Sequence, residues 1–272
     1  MELWEDAVRN GPVGVFDSGA GGLSVLAEMV RTLPNEDFLF YGDQKNAPYG
    51  TKSPEAVRRL AEEAAEKLTA MGAKALVIAC NTATARAAGS LRAKYDFPII
   101  GMEPAIKPAS LLRHGGVVLA MATPSTLASE KYAVLSEKYG EGVIPLPCPG
   151  LMEYVERGML RGDEVEGYLR RLFAPFAGEQ VDAVVLGCTH YVFLRGTIRA
   201  CFPPETAIVD GNAGTARQLK RRLAETGMLR QSTAPGKVTI LSSLGGEGGD
   251  KLRMLWEKAQ TLRSGTDEQT ET

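Results

Sequence analysis

Two short segments carry the residues best suited to chemistry. Ala75-Leu76-Val77-Ile78-Ala79 runs into Cys80-Asn81-Thr82, and Ala183-Val184-Val185-Leu186-Gly187 runs into Cys188-Thr189-His190. Each is an apolar run that ends in a cysteine followed by side chains able to hold oxygen atoms. A buried cysteine alone is an ordinary small apolar residue; it moves protons or attacks only where its surroundings control its ionisation. The matched contexts offer such surroundings: a strand tip, hydroxyl and amide neighbours, and the start of a helix whose free N–H groups favour a thiolate or a bound carboxylate. Cys148, in Pro147-Cys148-Pro149, and Cys201, in Ala200-Cys201-Phe202, lack that pattern and read as structural.

His190 stands two residues after Cys188, where the chain turns from strand to helix, so its imidazole reads as a partner for that thiol. The other histidine, His114, lies in His114-Gly115-Gly116 and reads as a surface residue. A third strand tip carries Asp17-Ser18-Gly19-Ala20-Gly21-Gly22. A dinucleotide fingerprint would need glycine where Ser24 stands, and a phosphate loop would need a lysine after the glycines. Asp17 would also repel pyrophosphate. Its carboxylate suits a substrate ammonium, or the task of holding a proton near a thiol.

The elements that must position these groups follow from the apolar pattern. Runs rich in Val, Ile and Leu at 13–16, 37–41, 75–79, 99–101, 117–120 and 207–210 alternate with helical patterns at 23–31, 54–71, 85–94 and 125–138. Near-continuous apolar runs of this length are strands of a parallel sheet covered by helices on both faces, so the class is α/β. Ligands of such sheets sit beyond the carboxyl ends of the strands, where Cys80 and Cys188 stand. From position 80 to position 188 the two segments lie 108 residues apart, too far for a solenoid repeat and suited to two related half-molecules. Two facing, pseudo-symmetric parallel-sheet lobes would bring both thiols into one cleft between them. The turn Gly211-Asn212 carries the chain back, which draws a first lobe of 1–101 plus 212–272 and a second of 102–211, with 264–272 as a frayed polar tail.

With 272 residues the chain is long enough for two lobes of ordinary size. A net charge of -2 and the lack of long Lys/Arg runs leave no footprint for nucleic acid, and favour a small-molecule ligand. The acidic stretch 1–6 lacks the basic-then-apolar order of a signal peptide, and no apolar run approaches the roughly 20 residues that span a bilayer. The expected compartment is the cytoplasm, with no membrane association. Disulfides are disfavoured there, and the four cysteines are too scattered for a CxxC pair, so some or all of them are expected to be free thiols.

Taken jointly, several segments resemble the glutamate racemases of the aspartate/glutamate racemase superfamily. They are Val15-Phe16-Asp17-Ser18-Gly19-Ala20-Gly21-Gly22-Leu23-Ser24-Val25-Leu26, Tyr41-Gly42-Asp43 leading to Pro48-Tyr49-Gly50, Ala79-Cys80-Asn81-Thr82-Ala83-Thr84, and Gly187-Cys188-Thr189-His190-Tyr191. Weaker matches are Gly101-Met102-Glu103-Pro104, Ala122-Thr123 with Thr126, and Cys148-Pro149 followed by Val155-Glu156. The resemblance implies that Cys80 exchanges the α-proton of D-glutamate and Cys188 that of L-glutamate, assisted by Asp17 and His190 respectively. It implies that Asp17, Ser18, Tyr49, Gly50, Asn81, Thr82, Thr189 and His190 bind the substrate. Thr123 and Thr126 join from the second lobe, and Glu156 is a site-lining carboxylate. It further implies a homodimer and a supply of D-glutamate for peptidoglycan. Two departures stand out: Val192-Phe193 follows Tyr191 where the family usually has proline, and the Gly-rich stretch 238–249 does not match the usual ending.

Inverting an α-carbon means removing a weakly acidic C–H proton and returning one to the opposite face. One base cannot easily reach both faces, whereas two thiols placed by two strand tips can. The extra charge that develops on the α-carboxyl oxygens calls for fixed donors, a task suited to Asn81, Thr82 and Thr189. A pyridoxal enzyme would use a Schiff-base lysine, and no lysine stands at a comparable strand tip, so neither a cofactor nor a metal is expected. The alternatives are racemisation of aspartate or another amino acid, and a two-lobed protein that closes on an acidic amino acid without turning it over.

Overall fold

The computed structural model describes residues 10–262. The acidic N-terminal stretch 1–6 and the tail expected at 264–272 lie outside the described residues. In chain order the first sheet begins with β1 (Val13–Asp17), α1 (Leu23–Thr32), β2 (Phe38–Gly42), α2 (Pro54–Ala70), β3 (Ala75–Ile78), α3 (Asn81–Lys94) and β4 (Ile99–Gly101). There follow α4 (Ile106–Ser110), β5 (Val117–Ala122), α5 (Pro124–Leu127), α6 (Glu130–Tyr139), β6 (Val143–Pro147), α7 (Leu151–Glu156), α8 (Asp163–Phe173), β7 (Val181–Leu186), α9 (Arg195–Arg199) and β8 (Ala207–Asp210). The chain then returns through α10 (Asn212–Glu225), β9 (Val238–Ser242) and α11 (Gly246–Thr261).

Every strand pairing is parallel. One sheet has the order β4-β3-β1-β2-β9 and the other β6-β5-β7-β8. Read from the opposite edge, the second sheet is β8-β7-β5-β6, so its strands repeat the order of the first four strands of the chain. The two lobes are therefore topological copies, and Cys80 and Cys188 follow equivalent strands, β3 and β7. The Gly-rich stretch at 238–249 supplies an additional strand, β9, paired with β2 at one edge, and the start of α11.

Side chains alternate across the first sheet. Phe16, Leu39, Leu76 and Ile78 pack with Val57, Leu60 and Leu68 of α2 and Leu91 of α3. Val13, Val15, Phe40 and Val77 face the other way, into a cluster that also holds Leu119, Met121, Val184 and Leu186 of the second sheet. One continuous apolar core thus joins the inner faces of both lobes. Each large aliphatic side chain withdrawn from water there contributes roughly 1.5–3 kcal/mol, which resists separation of the lobes.

Three local features differ from the sequence expectation. Helix α3 begins at Asn81 rather than near Ala85, because Cys80 takes the cap position and its sulfur accepts the Ala83 N–H at 3.4 Å. The single helix expected over 125–138 is two, α5 and α6. Ser129 is extended there and caps the second by accepting the Tyr132 N–H at 3.1 Å. Strand β6 was hidden by Pro145 and Pro147; it lies at a sheet edge, where missing N–H groups are tolerated. Among the described residues no helix is long and apolar enough to cross a membrane.

At the other end of the first sheet, the Lys74 ammonium lies 2.6 Å from Glu36 Oε2, with both side chains buried. Glu36 Oε1 accepts the Arg230 N–H at 2.8 Å, and Arg230 pairs with Asp37 at 2.7 Å, so the pair also fastens the segment returning to β9. Removing one partner of a buried pair strands the other charge, at a cost of about 3–5 kcal/mol, whereas replacing both by apolar groups costs far less. Lys74→Met should therefore lower unfolding free energy by about that amount, with Lys74→Met/Glu36→Leu recovering only part of it because the Arg230 N–H then loses its acceptor; urea denaturation of both variants checks this.

Candidate active site

The carboxyl ends of β1, β3, β5 and β7 enclose a cavity of about 100 Å³ between the lobes. Ser18, Tyr49, Gly50, Cys80, Asn81 and Thr82 line it from the first lobe, and Thr123, Thr126, Cys188, Thr189 and His190 from the second. These eleven are all sequence-derived candidates. The other two, Asp17 and Glu156, are not on the wall but stand directly behind it.

Behind Cys80 lies a hydroxyl and then a carboxyl. The Cys80 thiol donates to Ser18 Oγ at 3.5 Å, and the Ser18 hydroxyl faces Asp17 Oδ1 at 3.4 Å. Asp17 is fully buried, and its oxygens also accept the Gly19 N–H at 2.7 Å and the Thr189 hydroxyl at 3.0 Å. Both oxygens are turned toward protein donors, which favours a role in holding a proton near the thiol over contact with a substrate ammonium. Burial raises the Asp17 carboxyl above its ordinary range, against the nearby His190 charge and the hydrogen bonds from Gly19 and Thr189. Burial, followed by the negative charge of Asp17, pushes the Cys80 thiol up to about 12, against the Ala83 N–H that favours the thiolate. The helix start alone therefore does not hold Cys80 as a thiolate; at neutral pH it is the protonated thiol.

Behind Cys188 lies an imidazole and then a carboxylate. Cys188 Sγ is 3.7 Å from His190 Nδ1, and His190 Nε2 is 2.8 Å from Glu156 Oε1, which also accepts the Ala20 N–H at 2.7 Å. Burial alone would push the imidazole down, but hydrogen bonds and charge from Cys188 and Glu156 outweigh it and raise His190 well above 6.5. Burial would likewise raise Glu156, yet His190, the Ala20 N–H and Lys251 together bring its carboxyl down to about 2. Each member of the pair thus favours the charged form of the other, while the Gly21 N–H approaches the same Nε2 at 3.2 Å.

Tyr49 contributes its ring to the wall while its hydroxyl donates to Asp43 at 2.7 Å. Thr82, Thr123 and Thr126 bring three hydroxyls within 2.9–3.2 Å of one another across the seam between the lobes. Among the described residues no lysine or arginine lines the cavity, so carboxylates held there would be met by hydroxyls, amides and backbone N–H groups.

Sequence reasoning missed Cys148 and Glu153, which also line the cavity. Cys148 donates to the Leu146 carbonyl at 3.2 Å, and burial pushes its thiol up to about 12. Its flanking prolines offered no catalytic signal. Cys201 and His114 are exposed and away from the site, and all four cysteines are free. Among the described residues no three His, Cys, Asp or Glu side chains form a group that could hold a metal ion.

A family model described as Asp/Glu/Hydantoin racemase matches residues 13–219. The chain belongs to that family. A glutamate racemase of Clostridium botulinum (strain Kyoto / Type A2) is 49% identical over 239 residues, covering 87% of this chain and 93% of the relative. Glutamate racemase from Francisella tularensis subsp. tularensis SCHU S4, solved in complex with D-glutamate, is 28% identical with a TM-score of 0.78, over 93% of this chain and 95% of that one. Escherichia coli glutamate racemase, in complex with L-glutamate and the activator UDP-MurNAc-ala, is 28% identical with a TM-score of 0.80, over 92% and 95%.

Because Glu156 is held near 2, against an ordinary 4.5, it adds stability that is present above about pH 4.5 and lost as the pH falls through about 2. The size is of order 3 kcal/mol. Glu156→Gln should be less stable than the parent by up to about that much near pH 7, with the gap narrowing toward pH 3, as read by urea unfolding at both pH values.

Proposed function

We propose that this protein interconverts L- and D-glutamate without a cofactor, through two thiols that act on opposite faces of the α-carbon. The observation that carries the reading is the meeting of Cys80 and Cys188, each from its own lobe, in one cavity of about 100 Å³. From L-glutamate, Cys188 as thiolate takes the α-proton, and the C–H electron pair passes into the carboxyl group. The Cys80 thiol then gives its proton to the other face, leaving Cys80 as thiolate and Cys188 as thiol; the reverse reaction exchanges these roles. His190 with Glu156 serves Cys188, and Ser18 with Asp17 serves Cys80.

Asn81, Thr82 and Thr189 hold the α-carboxyl oxygens as charge develops on them. Ser18, Tyr49, Gly50, Thr123 and Thr126 shape the rest of the substrate site. The names of the relatives support glutamate over aspartate. The lobes are drawn at 1–101 plus 212–272 and 102–211, and the working unit is a cytoplasmic homodimer that supplies D-glutamate for peptidoglycan. The family resemblance supports these last assignments. A non-catalytic binder would have no use for thiols on both sides of its ligand.

Incubation of the metal-free protein with L-glutamate should yield D-glutamate by chiral chromatography, with aspartate turned over at least tenfold more slowly. A tenfold preference for aspartate would reverse the substrate assignment. Cys80→Ala and Cys188→Ala should each abolish turnover, while Cys148→Ala and Cys201→Ala leave it largely intact; near-normal activity in either of the first two removes the two-thiol scheme.

The abstracted proton stays on a monoprotic thiol while a different one enters from the other face. D-Glutamate formed early in heavy water from protiated L-glutamate should therefore be almost wholly α-deuterated, and recovered L-glutamate mostly protiated. Mass spectrometry of the separated enantiomers at low conversion reads this, and substantial protium in the first D-glutamate would rule the scheme out.

A further inference from the structure

Glu156 does not face His190 alone. Its Oε1 takes the contacts from His190 Nε2 and the Ala20 N–H, while its Oε2 lies 3.5 Å from the ammonium of Lys251. Lys251 is on α11, which packs against α1 and β9 in the first lobe, whereas Glu156 and His190 belong to the second. The C-terminal helix thereby places a positive charge at the far end of the row Cys188, His190, Glu156.

We propose that Lys251 is a positioning residue that sets the proton affinity of His190 through Glu156. The inference rests on the reading of His190 as the partner of Cys188. The charges facing His190 are Glu156 from α7, Asp17 from β1 and Cys188 from its own turn, all of them able to carry negative charge and favour the imidazolium. Lys251 is the cation that faces this group through Glu156, and its charge draws on the same carboxylate. On its own helix, Asp250 pairs with Arg253 at 2.6 Å, which leaves Lys251 turned to Glu156. An imidazolium bound too firmly to its carboxylate could not give up its proton. A second cation on that carboxylate counters the tendency, since it opposes positive charge on His190.

Lys251 is 34% exposed, so water and salt screen its charge and the effect is a tuning one. Glu156 stays in place without it, because the Ala20 N–H still holds Oε1. The prediction is therefore a graded dependence on charge at one position, which a merely structural contact would not produce.

The chain has two histidines, His190 at the site and the exposed His114, so NMR titration of imidazole nitrogens in the full-length protein reads one with the other as control. Lys251→Gln should raise the His190 midpoint by about half a pH unit and Lys251→Glu by about one. Lys251→Arg should leave it within about 0.2 of the parent. Adding roughly half-molar salt should shrink the differences, and His114 should not move. The proposal is overturned if the His190 midpoint is unchanged or falls in the Gln and Glu variants. It is equally overturned if Arg shifts it as far as Gln, or if His114 follows. Failure of the parent protein to racemise L-glutamate would remove the proposed function, while the titration would still decide whether Lys251 acts on His190.

Discussion

The site depends on how closely the loop after β1 approaches the turn after Cys188. A Cβ on Gly21 would fall 2.4 Å from Thr189 Oγ1 and 2.5 Å from His190 Nδ1, and one on Gly19 would fall 2.2 Å from Glu156 Oε1. Neither glycine has a positive φ, so what they provide is space rather than an unusual backbone shape. Into that space come the cross-lobe bonds from Ala20 to Glu156 and from Thr189 to Asp17. The Ser24 hydroxyl adds a third contact, 3.2 Å from the Thr189 carbonyl. A larger side chain at Gly19 would displace the Glu156 carboxylate, and one at Gly21 would push back the Thr189-His190 turn, backbone included.

Equivalent places in two copied sheets do not make the thiols alike. Cys80 caps the 14-residue helix α3, has a hydroxyl and a buried carboxyl behind it, and is driven toward the protonated form. Cys188 opens a short 3₁₀ turn, Thr189–Leu194, and has beside it an imidazole whose proton affinity is raised by Cys188 and Glu156. With both thiols buried, these fixed neighbours decide which group carries the proton, because burial weakens the levelling effect of solvent on such differences. A reaction needing one acid and one base at once is served by that inequality.

The cavity achieves its polarity with hydroxyls and amides. The three threonines come from α3 of one lobe and from α5 and the residue before it in the other, so the seam itself is a hydrogen-bonding surface. Neutral donors hold a carboxylate without locking it in a strong ion pair beforehand, so more of their stabilisation is left to act as further charge develops.

The sequence by itself determined the α/β class, the strands ending near Asp17, Cys80 and Cys188, and eleven residues that line the cavity. These are legible because buried parallel strands leave continuous apolar runs and because chemistry at their tips requires particular side chains at short spacing. Tertiary structure alone decided which groups stand behind the wall. Asp17 withdraws behind Ser18, Glu156 withdraws behind His190, Cys148 enters the wall, and Lys251 arrives from a helix 95 residues beyond Glu156 in the chain. Such neighbours are set by the packing of two lobes over a shared core, and no local pattern records a contact between segments so far apart.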